Sequence, residues 1–251
     1  MWEMISSYFR WLNDATGINL TFLYDTFDRD RFFEGALLTL ELSVLCIVAS
    51  VAVGIMGAWL QRSPFKAINR LARFYVSLFR NTPPVVQLLF FYFVLGGLLR
   101  FQTADGHVVQ FSSFFWAVVS LSVYYGSFNI EIFRAGVEAV PTTTVQAAEA
   151  LGYGRGQIYR YILLPLALRV SLPALTNNLA SLLKATSLAY AISVPEITYA
   201  SHEIWSDVFN VREMMVTLLV FYLSLVGLLV FGMRRLEAFL RIPGYRAGGA
   251  S

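Results

Sequence analysis

Apolar positions along the chain gather into five long runs separated by polar stretches. A helix crossing a bilayer needs about 20 mainly apolar residues, because the hydrocarbon offers no water to pair its backbone groups. Runs of that kind cover about 35–60, 74–99, 114–137, 171–194 and 214–236. Gly35–Leu60 and Val216–Met233 are the cleanest. The second run joins an amphipathic approach helix from about Ile68 to the apolar Pro83–Leu99. The third carries Asn129, Glu131 and Arg134, and the fourth is approached through Pro165 and Pro173, which interrupt a helix. The pattern predicts an all-α integral membrane protein with five transmembrane helices. Residues 1–34 form an extracytoplasmic N-terminal segment, 35–240 a single transmembrane domain and 241–251 a cytoplasmic tail.

Charge orients the runs, since Lys and Arg are retained on the cytoplasmic side. Ahead of the first run Arg10, Arg29 and Arg31 stand against Glu3, Asp14, Asp25, Asp28, Asp30 and Glu34, three positive charges minus six negative, net −3. The following loop holds Arg62, Lys66, Arg70 and Arg73 with no acid, and the tail holds Arg234, Arg235, Arg241 and Arg246 against Glu237. Between the last two runs Glu196, Glu203, Asp207 and Glu213 outnumber Arg212. An N-terminus outside and a C-terminus inside satisfies every loop. The loop over about 141–158 is then cytoplasmic.

Composition narrows the chemistry. The chain is 57% hydrophobic and 14% charged, against roughly 25% charged in soluble domains. A net charge of +3 with no basic tail points to topology rather than to nucleic acid. The single Cys46 lies in an apolar run and reads as packing, and His107 and His202 are isolated, so no disulfide framework or metal site is expected. The first 30 residues lack the pattern of a removable signal peptide. No Gly-x-x-x-x-Gly-Lys-Ser/Thr loop occurs, so ATP chemistry is not expected of this chain. No catalytic constellation stands out, and an enzyme is not expected.

Ionisable groups in a span normally face a bundle interior or an aqueous cavity. Ser127, Glu131, Arg134 and Glu138 share one helix face, with Glu131 placed to pair with Arg134 and Arg134 with Glu138. That face is either a structural ion-pair ladder or a lining of a pathway or gate. Asn177, Ser181 and Lys184 share a face of the fourth run, directed at a substrate or at a neighbouring helix. Glu41 and Arg80 are further bundle-facing candidates, although Arg80 has the reach to snorkel to the interface.

The central loop carries the most specific pattern. Thr143–Leu151 predicts a short helix rich in Ala147, Ala148 and Ala150, with threonines as N-caps after Pro141 and Gly152 as the stop. Nine residues are too few to be stable alone in water, so such a helix needs something to pack against. Gln146-Ala147-Ala148, Gly152 and Leu163-Leu164-Pro165 resemble the Glu-Ala-Ala loop of the permease subunits of binding-protein-dependent ABC importers, polar amino-acid branch. Phe79-Arg80-Asn81-Thr82-Pro83 with Gln87, Glu131-Ile132-Phe133-Arg134, Leu172-Pro173-Ala174-Leu175-Thr176-Asn177 and Lys184-Ala185-Thr186-Ser187-Leu188 continue the likeness, in the family's order, over roughly residues 36–240. Gln146 stands where the family has an acid, Thr143-Thr144 where Gly-Gln is common, and Ala185 where Asp is common. A neutral amide still hydrogen-bonds but makes no charge-assisted contact.

The resemblance implies the type I importer permease fold and a place in the bacterial inner membrane. It implies a coupling helix in which Thr144, Gln146, Ala147, Ala148, Glu149, Leu151 and Gly152 meet an ATPase subunit. The implied partners are an ATPase dimer that binds ATP and Mg, a second permease, identical or different, and an extracytoplasmic solute-binding protein. Glu41, Arg80, Gln87, Ser127, Glu131, Arg134, Asn177, Ser181 and Lys184 are the pathway or gating candidates. A competing reading is an ion-coupled secondary transporter with Glu41, Glu131 or Lys184 as the proton-linked group.

Overall fold

The computed structural model describes residues 2–102 and 108–240. Among these, nine helices account for nearly all regular structure. They are α1 (Trp2–Thr16), α2 (Thr26–Leu60), α3 (Lys66–Arg80), α4 (Pro84–Leu98), α5 (Ser113–Glu138), α6 (Thr142–Ala150), α7 (Arg155–Ile192), α8 (Ile197–Val208) and α9 (Val211–Phe239). The exception to an all-α fold is a two-residue antiparallel ladder, Phe101 opposite Val109 and Gln102 opposite Val108. His107 and the expected tail 241–251 lie outside the described residues.

Among the described residues, three helices are long and apolar enough to cross a membrane, namely α2, α7 and α9, and the pair α3 and α4 makes a fourth if its sharp bend counts as one span. The run expected as a continuous span over 74–99 is therefore broken. Pro83 disfavours helical geometry at Thr82, and the helix ends at Arg80, with Asn81 as its C-cap, and restarts at Pro84. The fourth run also differs from expectation, because the helix containing it begins at Arg155. Pro165 does not end that helix. A five-residue π turn, Tyr159–Leu163, directly precedes it and absorbs the missing N–H. α5 is long enough to cross but is diluted by Ser120, Ser122, Ser127 and Asn129, all of which are buried.

The fold divides into two compact units. The first contains α1, the first part of α2, α4, the first half of α5, the end of α7, α8 and the first half of α9. Asp25 starts α2 by accepting from the N–H groups of Phe27 and Asp28 at 3.0 and 3.1 Å. Phe22 and Phe32 stack with ring centroids 4.4 Å apart and pack with Ile197, Ile204, Met214 and Leu218. α8 lies against α2 at Gly35, where a Cβ would stand 2.8 Å from that of Ala200 and 3.2 Å from the Ile197 Cα. Only glycine permits so close an approach.

The second unit contains the rest of α2, α3, the second half of α5, α6, most of α7 and the rest of α9. α2 meets α5 where a Cβ on Gly54 would fall 2.4 Å from the Asn129 Cβ and one on Gly126 2.5 Å from Val53. Small residues of this kind let membrane helices come close enough to exchange polar contacts. Val140, Leu166 and Ala167 form a small apolar cluster near the start of α6.

Candidate functional site

Two features of the second unit carry chemistry: an exposed short helix and a polar junction that is buried at Asn129 and partly exposed at Arg134 and Glu138. The short helix is α6. Its N-cap is Pro141, whose carbonyl accepts from the Thr144 N–H at 3.0 Å, so the threonines expected to cap it lie inside it instead. Its end is a Schellman turn. The Tyr153 N–H reaches the Ala148 carbonyl at 3.1 Å and the Gly152 N–H reaches Glu149 at 2.9 Å, with Gly152 at φ +84°. Gln157 then accepts from the Gly154 N–H at 2.9 Å and opens α7. Of the α6 residues only Ala148 is buried; Gln146, Ala147 and Glu149 are exposed, as are Leu151 and Gly152 just beyond, while Thr144 is half-buried. Leu151 is 78% exposed. α6 is anchored by one alanine and presents outward small and apolar groups together with the Gln146 amide and the Glu149 carboxylate.

The polar junction has two parts. Arg134 bridges two carboxylates, reaching Glu131 at 2.7 Å and Glu138 at 2.7 Å. Glu131 also accepts from Gln61 Nε2 at 3.3 Å, and the Gln61 carbonyl accepts from the Asn69 amide. One half-buried carboxylate thus gathers α2, α5 and, through Gln61, α3. The second part centres on Asn129, fully buried on α5. Its amide donates to Ser50 Oγ at 3.3 Å on α2, and its carbonyl accepts from Asn178 at 2.8 Å on α7. Asn178 also donates to the Tyr125 carbonyl at 3.2 Å, and Ser171 donates to the Ile132 carbonyl at 3.2 Å. A buried amide with its partners supplied is stable where an unpaired one would cost about 1–3 kcal/mol.

The structure distributes the other candidates unevenly. Ser127 is wholly buried and donates to its own helix at the Tyr124 carbonyl, 2.6 Å away, rather than standing on a pathway surface with Glu131 and Glu138. Asn177, Ser181 and Lys184 are exposed on α7, and Ser181 donates to the Asn177 carbonyl at 2.9 Å. Glu41 is exposed on α2, beside the buried Leu42 and Ser43. Arg80 is exposed and lies over the Phe128 ring at 5.0 Å. Gln87 is buried in α4. Ser50, Gln61, Asn129 and Asn178 are the junction residues that sequence reasoning did not select. Asn178 stands one place from the chosen Asn177, and the apolar Leu175, Leu179 and Leu182 mark the buried side it adjoins.

The first unit holds a fully buried acid, Glu196. Glu196 caps α8, accepting from the Thr198 and Tyr199 N–H groups at 3.0 and 3.1 Å and from the Tyr222 hydroxyl at 3.1 Å. Burial pushes its carboxyl up to about 7, against the lowering effect of those donors. Next to it the Ile197 N–H donates to Thr39 Oγ1 at 2.9 Å.

Residues 50–240 match the family described as binding-protein-dependent transport system inner membrane component. The glutamine transport system permease protein GlnP of Escherichia coli K12 is 34% identical over 83% of this chain and 92% of its own length. The arginine transport system permease protein ArtQ of Bacillus subtilis is 32% identical over 83% of this chain and 91% of its own. A crystal structure of an amino acid ABC transporter with histidines superposes with a TM-score of 0.75 at 27% identity, covering 88% of this chain and 99% of that one. The MetNI methionine ABC transporter, at 20% identity and TM-score 0.67 over 84% of this chain and 97% of that one, shares the fold.

Proposed function

The chain belongs to the binding-protein-dependent transport system inner membrane components, and from that premise we propose that it is the permease of an ATP-driven importer for polar amino acids or related compounds. It is a multi-pass inner-membrane protein. In this reading it forms the translocation path with a second permease and receives force through residues 143–156 from a dimer of ATPase subunits that hold ATP and Mg. A solute-binding protein delivers the solute from outside. The N-terminus lies outside and the C-terminus inside, and α5 supplies the fifth crossing. Its serines and Asn129 are turned into protein, which suits a crossing helix of low overall apolarity.

The observation that carries this reading is the exposure of α6. A nine-residue helix held by one buried alanine lacks the packing that stabilises short helices, and its open face of Ala147, Leu151 and Gly152 suits close approach by a protein groove. Gln146 offers that groove a neutral amide and Glu149 a charge. The exposed polar face Asn177, Ser181 and Lys184 suits a second permease or a hydrated path better than lipid. The ion-coupled alternative is weaker at Glu131, whose carboxylate is already engaged by Arg134 and Gln61.

The test is to delete 143–156, or to reverse charge with Glu149→Lys together with Ala147→Glu. ATPase co-purification and solute uptake are then measured in the same membranes. Loss of both is expected. Uptake at the original rate with no ATPase attached would defeat the proposal, and uptake that survives ATP depletion but collapses with the proton gradient would favour ion coupling.

A further inference from the structure

We propose that the cleft where α2 turns into α3 binds an anionic phospholipid, with an acyl chain against Trp59, Phe65 and Ile68 and the phosphate on Arg62. The inference goes beyond the transport reading and rests only on the inner-membrane placement.

A pinned turn builds the cleft. α2 ends at Leu60 and α3 begins at Lys66. Between them the Asn69 amide donates back to the Gln61 carbonyl, and Ser63 Oγ accepts from the Phe65 N–H at 3.3 Å. The result is a cleft of about 470 Å³ lined by Trp59, Phe65, Ile68 and, from the π turn of α7, Tyr159, with Arg62 and Ser63 as polar members. Cavities that hold small ligands are of this size, roughly 300–1,000 Å³.

Depth and continuity point to lipid. Residues 42–60 carry no charge and approach the about 20 residues that a crossing needs, so Trp59 stands where α2 leaves the hydrocarbon. Trp59 also completes an exposed face of α2 made by Val48, Ala52, Ile55 and Met56 at helical spacing. In an inner-membrane protein that face meets lipid, and the cleft is continuous with it through the shared Trp59 side chain. Trp and Tyr are the residues enriched at this level of the bilayer.

Charge selects the headgroup. Residues 42–104 contain no Asp or Glu, whereas Arg62, Lys66, Arg70 and Arg73 are all exposed, the last three on one face of α3. Arg62 makes no ion pair among the described residues. Glu131, which reaches the neighbouring Gln61, is already held by Arg134. Basic clefts beside membrane helices attract anionic headgroups. An anion without a tail would leave Trp59 and Phe65, each 67% exposed, in water.

The test uses the full chain, with any subunits that co-purify, in nanodiscs of phosphatidylcholine titrated with acyl-brominated phosphatidylglycerol or acyl-brominated phosphatidylcholine. Trp59 emission is taken as the difference between the wild type and Trp59→Phe. Brominated phosphatidylglycerol should quench it at about one-fifth of the mole fraction that brominated phosphatidylcholine needs, the weight of one basic residue facing an anionic headgroup. Arg62→Gln should bring the two lipids to parity at an unchanged melting temperature, whereas Arg73→Gln, outside the cleft, should keep most of the preference. Equal quenching in the wild type, or a preference that survives Arg62→Gln, would overturn the proposal by making Trp59 an ordinary lipid-facing side chain. Quenching by neither lipid would overturn it in favour of water or a protein cover, and relief of quenching by inorganic phosphate would overturn it in favour of a free anion. None of these outcomes bears on coupling through α6, which is read by ATPase co-purification.

Discussion

α6 and α8 are both short helices set between longer ones, of 9 and 12 residues, and they are held in opposite ways. α8 is stitched into its unit. Glu196 caps it, Thr39 and Tyr222 bond at its start, Gly35 admits it against α2, and Ile197 and Ile204 are wholly buried. α6 has a well-made end at Gly152 but one buried side chain. Isolated helices of this length are marginal in water. α8 finds its stabilisation inside the chain, whereas α6 is finished locally and left open. The difference separates an element that completes the fold from one shaped for a partner.

Substitutions at the two helices test that contrast. The largest effect is expected from Gly35→Leu, which forces a side chain onto the α8 backbone. Overpacking of this kind costs roughly 1–3 kcal/mol, and more where backbone must yield. Little folded protein should survive detergent extraction, and a variant with an unaltered melting temperature would show that α8 is not held as described.

Glu196 provides the next. Its folded carboxyl is raised to about 7 from an ordinary 4.5, so the neutral form is the one the fold favours. The stability difference is absent below about 4.5, where both folded and unfolded chains are protonated, and stability declines as pH rises through 7. A shift of that size corresponds to about 3 kcal/mol. The melting temperature should drop by several degrees between pH 5 and pH 8, and Glu196→Gln should flatten that slope. The same slope in both proteins would count against the buried acid.

Ala147→Trp tests α6 in the reverse sense. The melting temperature should hold to within about 1 °C, as for most surface substitutions. Affinity for the ATPase should nevertheless fall about thirtyfold, the size of a 2 kcal/mol interface defect. Retention of the ATPase at wild-type levels would break the contrast from the α6 side.

The smallest effect belongs to Gly152→Ala. A Cβ there meets nothing within 4 Å, so the cost is purely that of a left-handed backbone, about 1 kcal/mol. Amide exchange at Tyr153 should quicken about fivefold while global melting barely moves. An unchanged exchange rate would mean that the helix end does not depend on its glycine.

How far these features were legible follows from what each depends on. Long apolar runs announce α2, α5 and α9 because burial in lipid and burial in protein demand the same composition. α6 was legible from alanine, Gly152 and family resemblance, although its N-cap fell on Pro141 rather than on threonine. α1 and α8 were missed, since both are amphipathic and their acids read as loop charge. Glu196 illustrates the reason: its partner Tyr222, and the Thr39 hydroxyl that accepts from the neighbouring Ile197 N–H, are remote in sequence, so the sequence does not mark it as more buried than Glu203. The break at Asn81–Pro83 and the continuous entry into α7 were misjudged in opposite directions. One proline ends a helix when the chain can turn, and another is absorbed when a π turn precedes it. Ser127 and Asn177 fell on plausible faces by spacing, but Ser127 is buried and bonded to its own helix, Asn177 is exposed, and the bonds between helices run through Asn129 and Asn178.

The Asn129 node has a mechanical meaning. Three helices share one amide, with Ser50, Asn178 and the Tyr125 carbonyl around it, and glycines remove the slack between two of them. A body joined in this manner has few internal degrees of freedom in which a displacement could dissipate. A nudge of an ångström at its rim would therefore shift the whole block rather than dent it, as a lever does and a spring does not.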